Sequence, residues 1–147
     1  MEGCKCNREC KKCEIMDCAN LGEIGLKWFN ISEFDSPDKP GSGENMCCNF
    51  LIDLDEARDR AEVPFRISSG YRTANHNDKV LGARIGSSHK KGLAADITYK
   101  NNHEKFRILN ALLDVGFNRI GLSEKSKFIH VDCDEDKAQE TMRGYDY

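Results

Sequence analysis

The sequence predicts an α+β fold: a small, mostly antiparallel sheet with helices packed on one face. Three observations predict it. The length of 147 residues suits one ordinary domain with a substantial core. Hydrophobic residues make up 39% and charged residues 32% of the chain, which is typical of a globular protein. Segments with helical spacing of apolar residues alternate along the chain with short segments of strand-like alternation.

The first half of the domain contains two predicted helices and one predicted strand. Apolar residues recur every three or four positions over 47–61, which predicts an amphipathic helix. Pro64 ends that helix and begins an extended segment, 64–69, whose two apolar residues alternate with polar neighbours as in a half-buried strand. Thr73 is suited to cap a short helix that reaches about residue 80.

The second half contains the clearest helix and three further strands. Small residues predict a tightly packed strand over 92–98. Segment 102–115 carries a regular apolar stripe and is followed by a glycine, which suits the left-handed position after a helix. Two short strands are predicted over 118–122 and 127–131, and a short helix over 135–143.

The charge of the chain restricts its partners. Lys and Arg number 22 and Asp and Glu number 25, so the net charge is −3. A nucleic-acid or anionic-membrane binder needs a basic excess, so we expect no nucleic-acid partner. The chain contains no apolar run of the roughly 20 residues that span a bilayer, and its beginning does not resemble a signal peptide. We therefore expect a chain made in the cytoplasm and not inserted into a membrane. We also expect a monomer.

Cysteine is the unusual component of the composition. Of eight cysteines, five lie between residues 4 and 18. We therefore predict a cysteine-rich N-terminal tail over 1–24 and a folded domain over 25–147. A flexible, reduced tail is the favoured interpretation. The alternative is a second zinc ion, although the three-residue loop between the two cysteine pairs is tight for a site built from Cys4, Cys6, Cys10 and Cys13.

His89, Asp96 and His130 form the pattern that carries chemistry. Gly92 permits a sharp bend between the first two, so their side chains can converge. Two imidazoles and one carboxylate leave one coordination position for water, as in a catalytic zinc site, whereas a structural site is closed by four protein ligands. A zinc ion there would polarise a carbonyl and lower the pKa of its bound water. On spacing alone, a capping His89 and a turn-stabilising Asp96 are the favoured interpretation.

The wider context of these residues resembles the zinc D-Ala-D-Ala carboxypeptidase family. That family includes VanX- and VanY-type enzymes and phage L-alanyl-D-glutamate endopeptidases, and the likeness to short single-domain peptidases of small bacteriophages is particularly clear. The resemblance covers about residues 28–136. It rests on motifs that occur in the family's order: Ser69-Gly70-Tyr71-Arg72, His76-Asn77, Ser87-x-His89-x-x-Gly92-x-Ala94-x-Asp96 and His130-x-Asp132.

The resemblance implies a hedgehog/DD-peptidase-like fold and a zinc metallopeptidase. Its substrate would be a peptidoglycan stem peptide, cut at a bond next to a D-amino acid, as in endolysin-like degradation of a bacterial cell wall. The zinc ligands would be His89, Asp96 and His130. Arg72 would bind a carboxylate or carbonyl of the substrate, for which its planar guanidinium is suited. Ser87 would form a hydrogen bond within the site.

One position departs from the family pattern. Many members place a catalytic carboxylate three residues before the last histidine ligand, and Lys127 stands there in this chain. Asp132 is the nearest carboxylate, and residues two apart in a strand share a face. Asp132 is therefore predicted as the general base, with support of a ligand histidine as its competing role. Glu124, on the preceding loop, is the reserve candidate for the base.

A second class of function stays open on the sequence. Hedgehog signalling domains share this fold and a related zinc site, and their main role is binding. The lysine at position 127 favours such a non-catalytic zinc-containing module, which would bind peptidoglycan or a protein. The enzyme is the leading hypothesis because several motifs of the peptidase family occur together.

Overall fold

The computed structural model describes residues 25–80, 83–84 and 86–145. It confirms the predicted α+β class. The described helices are α1 (Cys48–Ala61), α2 (Ala74–Lys79) and α3 (Asn102–Val115), with short 3-10 helices at Ile31–Phe34, Ser42–Asn45 and Ser88–Lys91. The described strands are β1 (Arg66–Ser69), β2 (Ala94–Thr98), β3 (Arg119–Ser123), β4 (Phe128–Asp132) and β5 (Thr141–Gly144). The predicted tail over 1–24 lies outside the described residues, so the domain boundary stays a prediction.

The strands form one sheet in the order β1-β2-β4-β3-β5. All neighbouring pairs are antiparallel except β3 and β5, which run parallel. The hairpin of β3 and β4 places consecutive strands side by side, whereas α3 carries the chain from β2 past β4 to β3. The sheet therefore brings β2 and β4 together at its centre.

The hydrophobic core lies on one face of the sheet. Helices α1 and α3 pack against each other on that side, and α3 contacts β4. Both ends of α3 follow the sequence closely: the Asn101 side chain accepts a hydrogen bond from the amide of Glu104, and Gly116 takes φ 112° after the last turn. Fully buried side chains of this core include Phe50, Leu51, Leu54, Ile97, Ile108, Leu112, Ile129 and Val131.

The opposite face is polar along one row of paired residues. The row contains one residue from each of the five described strands. Its side chains lie on the same face because directly paired residues of neighbouring strands point to the same side of a sheet. In sheet order its members are Ser69, Asp96, His130, Gly121 and Arg143. The alternation of each strand thus assigns apolar residues to the core and the predicted ligands to the other face.

The C-terminal segment corrects one element of the sequence analysis. The prediction of a short helix over 135–143 was wrong, because Thr141–Gly144 forms β5 along the outer edge of β3. The amide of Thr141 donates to the carbonyl of Asn118, and the amide of Tyr145 to that of Leu122. Without β5, the edge of β3 would expose unpaired backbone N–H and C=O groups. Hydrogen bonds between these groups and residues 141–144 outweigh the weak preference of that segment for helix.

Candidate metal centre

The structure brings the three predicted ligands together. One donor atom from each of His89, Asp96 and His130 lies within 4.8 Å of the others, and all three residues are buried. Asp96 and His130 are direct partners across β2 and β4. His89 reaches the same point from the 3-10 helix Ser88–Lys91, which ends at Gly92. The site is therefore assembled from two central strands and the turn that precedes the first of them.

Gly92 is required where the chain turns into β2. Its φ is 74°, in the left-handed region that side chains disfavour. A Cβ there would lie 2.2 Å from the carbonyl oxygen of Asn45, so the backbone packs closely as well. The bend that the sequence predicted between His89 and Asp96 thus depends on glycine for both conformation and space.

Each histidine is oriented through the nitrogen that faces away from the cluster. His89 donates from Nδ1 to the carbonyl of Gly70 at 2.8 Å, which leaves Nε2 facing Oδ1 of Asp96 at 3.4 Å. His130 contacts Oδ2 of Asp132 through Nε2 at 2.8 Å, and its Nδ1 lies 2.9 Å from Oδ1 of Asp96. A carbonyl or carboxylate behind each imidazole is the usual support of a metal-ligating histidine.

Arg72 holds the remaining oxygen of the predicted carboxylate ligand. Its guanidinium donates to Oδ2 of Asp96 at 3.3 Å and to the side chains of Ser69 and Asn77 at 2.9 and 3.4 Å. Oδ1 of Asp96 is thereby directed at the two histidines. Arg72 is buried but also borders the pocket, so its predicted contact with substrate stays compatible with this supporting contact.

Asp132 is engaged on both oxygens. Besides its contact with His130, it accepts from Nε of Arg119 at 2.6 Å and from the backbone amide of Asp134 at 3.1 Å. His130 and Asp132 share a face of β4, as the sequence predicted. These contacts are those of a residue that fixes the ring of His130, the competing role that the sequence left open.

Protonation follows from burial and charge together. Burial lowers the pKa of His89 and so favours its neutral form. Burial acts against the charge of Asp96, but the two histidines outweigh it and hold the pKa of this carboxyl well below its usual range. Burial opposes the charged form of His130, whereas hydrogen bonds to Asp132 and Asp96 raise its pKa. For Asp132, contacts with His130 and Arg119 overcome burial and lower the pKa to about 2. Both carboxylates are thus ionised at neutral pH, and a carboxylate must be ionised to bind a cation.

The cluster opens into a pocket of about 280 Å³. Ser87 borders it, as predicted for a residue of the site. Glu124 does not line this pocket; it is exposed and forms an ion pair with Lys105. Lys127 does not line it either. Among the described residues of the pocket wall, Asp132 is thus the one carboxylate besides the predicted ligand Asp96.

Sequence reasoning missed the residues that the C-terminal segment and β3 supply. Arg119 reaches Asp132, and Lys137, Arg143 and Tyr145 line the pocket. Gly121 makes room for Tyr145: a Cβ on it would lie 2.4 Å from the ring. The alternation of β3 could have placed residues 119 and 121 on the site's face, but no local signal indicated that residues 137–145 would fold over it.

The donor set suits zinc. Two imidazole nitrogens and one carboxylate oxygen, each held by a second contact, match the three protein ligands of a catalytic zinc site. The family model described as Peptidase M15 matches residues 23–132, which include all three donors. The chain belongs to the peptidase M15 family. A search of curated proteins found no match. Among the described helices, none combines the length and apolar character needed to cross a membrane.

Membership and geometry agree on a general activity. Peptidases of the M15 family are zinc-dependent, and the His-Asp-His cluster supplies a site for the ion. Together they support a zinc metallopeptidase with a peptide substrate. The four cysteines considered as a second zinc site lie outside the described residues, so that alternative stays a prediction.

Proposed function

We propose that the chain is a zinc-dependent peptidase that hydrolyses peptidoglycan stem peptides at a bond next to a D-amino acid, as a phage-encoded enzyme of cell-wall degradation. One observation carries the peptidase: the donors of His89, Asp96 and His130 converge at the floor of an open pocket. The resemblance to D-Ala-D-Ala carboxypeptidases and L-alanyl-D-glutamate endopeptidases supports the substrate class.

His89, Asp96 and His130 would hold the zinc ion, which when bound acts as a Lewis acid on the scissile carbonyl and activates water. The protein keeps these donors in place through groups behind them. Gly70 fixes the tautomer of His89, and Arg72 fixes the orientation of the Asp96 carboxylate. Preorganised donors of this kind need no rearrangement during the reaction, which lowers its barrier.

Arg72 has a second role in the proposal. Its guanidinium borders the pocket while it contacts Asp96, so a substrate carbonyl or carboxylate can approach the same group. An arginine stays charged at every working pH. Contacts with Asp96, Ser69 and Asn77 hold this guanidinium in place at the edge of the pocket, where a substrate oxygen can approach it. Ser87, on the same wall, would add a hydrogen bond to the bound peptide.

Asp132 would receive a proton during hydrolysis or would hold His130 while another group receives it. Its position on the pocket wall supports the first role, and its contacts with His130 and Arg119 support the second. We assign it primarily to holding His130, because both of its oxygens already accept hydrogen bonds. A change of orientation on substrate binding would be needed before it could act as a base.

Mass spectrometry of a peptidoglycan digest tests the proposal. The full chain is loaded with one equivalent of zinc and incubated with purified muropeptides. We expect new fragments from cleavage next to a D-amino acid, lost on adding a chelator and restored by zinc. The variant His103→Gln, at an exposed histidine outside the pocket, serves as the matched control for His89→Gln. Stoichiometric zinc without cleavage of any stem peptide would contradict the enzyme.

That same outcome would favour the binding module. Lys127, where many relatives carry a carboxylate, is the observation on its side. Pull-down of the zinc-loaded chain with insoluble peptidoglycan distinguishes the two. A binding module would stay bound to peptidoglycan without releasing peptides. An enzyme would release soluble fragments at a rate that depends on zinc.

A further inference from the structure

The last described segment, residues 133–145, builds a pocket wall beyond the part of the chain that the family model matches. That match ends at residue 132, whereas Lys137, Arg143 and Tyr145 all line the pocket. Whatever this segment contributes to binding is therefore additional to the metal cluster.

Arg143 lies on the row that carries the metal ligands. It pairs with Gly121, which pairs with His130, which pairs with Asp96. Neighbouring strands are about 4.8 Å apart, so the Cα atoms of Arg143 and His130 are separated by about 10 Å on the same face. Gly121 leaves the space between them to the ring of Tyr145, whose centroid is 6.4 Å from that of His130.

The guanidinium of Arg143 is held without being neutralised. It donates to the hydroxyl of Tyr145 at 3.2 Å and stacks on the same ring, with 5.3 Å to the centroid. Within the described part of the chain it forms no ion pair with a carboxylate. A positioned cation that lacks an anionic partner on the wall of a pocket is suited to an anionic group of a ligand.

Lys137 adds a second cation to this wall. Its ammonium donates to the hydroxyl of Ser88 at 2.9 Å, and that hydroxyl donates to Asp134 at 2.7 Å. Asp134 itself is neutralised at closer range by Lys91, at 2.9 Å against 3.7 Å for Lys137. Burial lowers the pKa of Lys137, so Arg143, which stays charged, is the stronger member of the pair.

The pocket wall as a whole has an excess of positive charge. Four cationic side chains line the pocket, Arg72, Arg84, Lys137 and Arg143, against the two carboxylates Asp96 and Asp132. The charges of Arg72 and Asp96 are paired, and the charge of Asp132 is paired with that of Arg119, which lies outside the wall. The remaining positive charge faces the space that a substrate would occupy, and a bound zinc ion would increase it.

We propose that Arg143 and Lys137 form a second carboxylate-binding subsite, which selects peptides with a free carboxylate two or three residues from the bond to be cleaved. The ring of Tyr145 sets that spacing, because its centroid is 6.4 Å from that of His130 and 5.3 Å from the guanidinium carbon of Arg143. This cation therefore lies within about 12 Å of the histidine, a span of up to three residues of extended peptide at about 3.5 Å each. The proposal rests on the proposed function for the identity of the peptide. It assigns specificity to residues outside the matched family region.

Binding of three synthetic peptides tests the subsite. One is the stem pentapeptide L-Ala-γ-D-Glu-L-Lys-D-Ala-D-Ala, and the others carry a single amide in place of either the D-glutamate carboxylate or the C-terminal carboxylate. Dissociation constants are measured by calorimetry with the full chain, both metal-free and zinc-loaded. The variants are Arg143→Gln, Arg143→Lys and Lys137→Gln, with Lys125→Gln as the matched removal of an exposed charge that does not line the pocket.

We expect the wild-type chain to bind the parent peptide about ten-fold tighter than one of the amidated peptides, as a charge-assisted hydrogen bond allows. R143Q should lose this difference, R143K should keep part of it, and K125Q should keep all of it. Equal binding of the three peptides by the wild type, absence of binding, or unchanged discrimination by R143Q would each overturn the subsite.

Hydrolysis of the same peptides keeps the two proposals apart. If the zinc-loaded chain binds with the expected discrimination but cleaves none of the peptides, the peptidase proposal fails and the subsite stands. If it cleaves them all at equal rates and binds them equally, the subsite fails and the peptidase stands.

Discussion

On the side of the sheet covered by α1 and α3, the central strands contribute Ile97, Ile129 and Val131, whereas on the other side the same strands contribute Asp96 and His130. Both sides are buried, but for different reasons. The apolar side is stabilised by removal of surface from water, and the polar side only by mutual hydrogen bonds and charges.

This difference between the two faces predicts how each responds to substitution. Apolar packing is distributed over many contacts, so one truncation costs stability and leaves the other contacts intact. On the polar face, each candidate donor depends on one supporting contact: His89 on Gly70, Asp96 on Arg72 and His130 on Asp132. We therefore expect loss of one such donor or contact to disable the site without removing the fold. Four substitutions test this contrast.

Loss of a proposed zinc ligand on the polar face should have the largest effect. His130→Ala removes one of three donors, and we expect zinc affinity to fall by more than about 100-fold, the upper end for a mere supporting residue. Peptide hydrolysis should be lost with it. Zinc titration measures the loss of affinity, and circular dichroism shows whether the fold is retained. The exposed His103→Ala is the control, and unchanged zinc affinity in H130A would remove His130 from the site.

Truncation in the apolar core comes next. Leu54 is fully buried in α1, so Leu54→Ala should lower the free energy of unfolding by about 2–5 kcal/mol through lost burial and a cavity. Zinc affinity of the folded fraction should not change. Denaturant unfolding provides the measurement, with Leu113→Ala on the exposed side of α3 as the control. A loss of zinc affinity at full folding would show that the two faces are not independent.

The support behind His130 should have an intermediate effect. Asp132→Asn keeps the shape but removes the charge that His130 and Arg119 contact, so we expect a 10–100-fold loss of zinc affinity or activity, about the range for such supports. If Asp132 only orients His130, saturating zinc should restore most of the turnover. If it is the base, turnover stays low with zinc bound.

Two variants complete that comparison. Glu124→Gln tests the reserve candidate for the base, and the exposed Asp136→Asn controls for loss of one charge. Full zinc binding and full turnover in both D132N and E124Q would show that neither carboxylate is the base.

A methyl group on the polar face should have the smallest effect. Gly121→Ala forces the ring of Tyr145 to move, which we expect to cost about 1 kcal/mol because the contact is with the far end of a side chain and not with backbone. The Michaelis constant should rise while zinc affinity stays constant. Gly144→Ala, whose Cβ would meet nothing within 4 Å, is the control. Equal kinetics in the two variants would mean that Tyr145 does not shape the pocket.

The elements that the sequence predicted well are those with local signals. The helix predicted over 47–61 is observed at Cys48–Ala61, and that over 102–115 at Asn102–Val115. Thr73 caps α2 by accepting from the amide of His76. These features depend on residues within one or two turns of each other, so periodicity and capping chemistry are sufficient to find them.

The sequence predicted the residues at the centre of the site but missed some of those that support them. The motifs named His89, Asp96 and His130, and the structure brings them together. They did not reveal Arg119, which lies 13 positions before its partner Asp132 and is joined to it only by the pairing of β3 with β4. Nor did they show that both oxygens of Asp132 accept hydrogen bonds, since that depends on the direction of each oxygen.

What the sequence by itself determined is the three described α-helices and the strands β1 to β4, because each follows from nearby residues. The three candidate donors were indicated by motifs shared with a known family, since their spacing alone did not favour a metal site. Tertiary structure alone decided that residues 141–144 form a parallel edge strand, and that Arg143 and Tyr145 complete the pocket wall. The physical reason is that an edge strand is selected by the backbone groups of a distant partner, and local propensity over four residues is too weak to specify it.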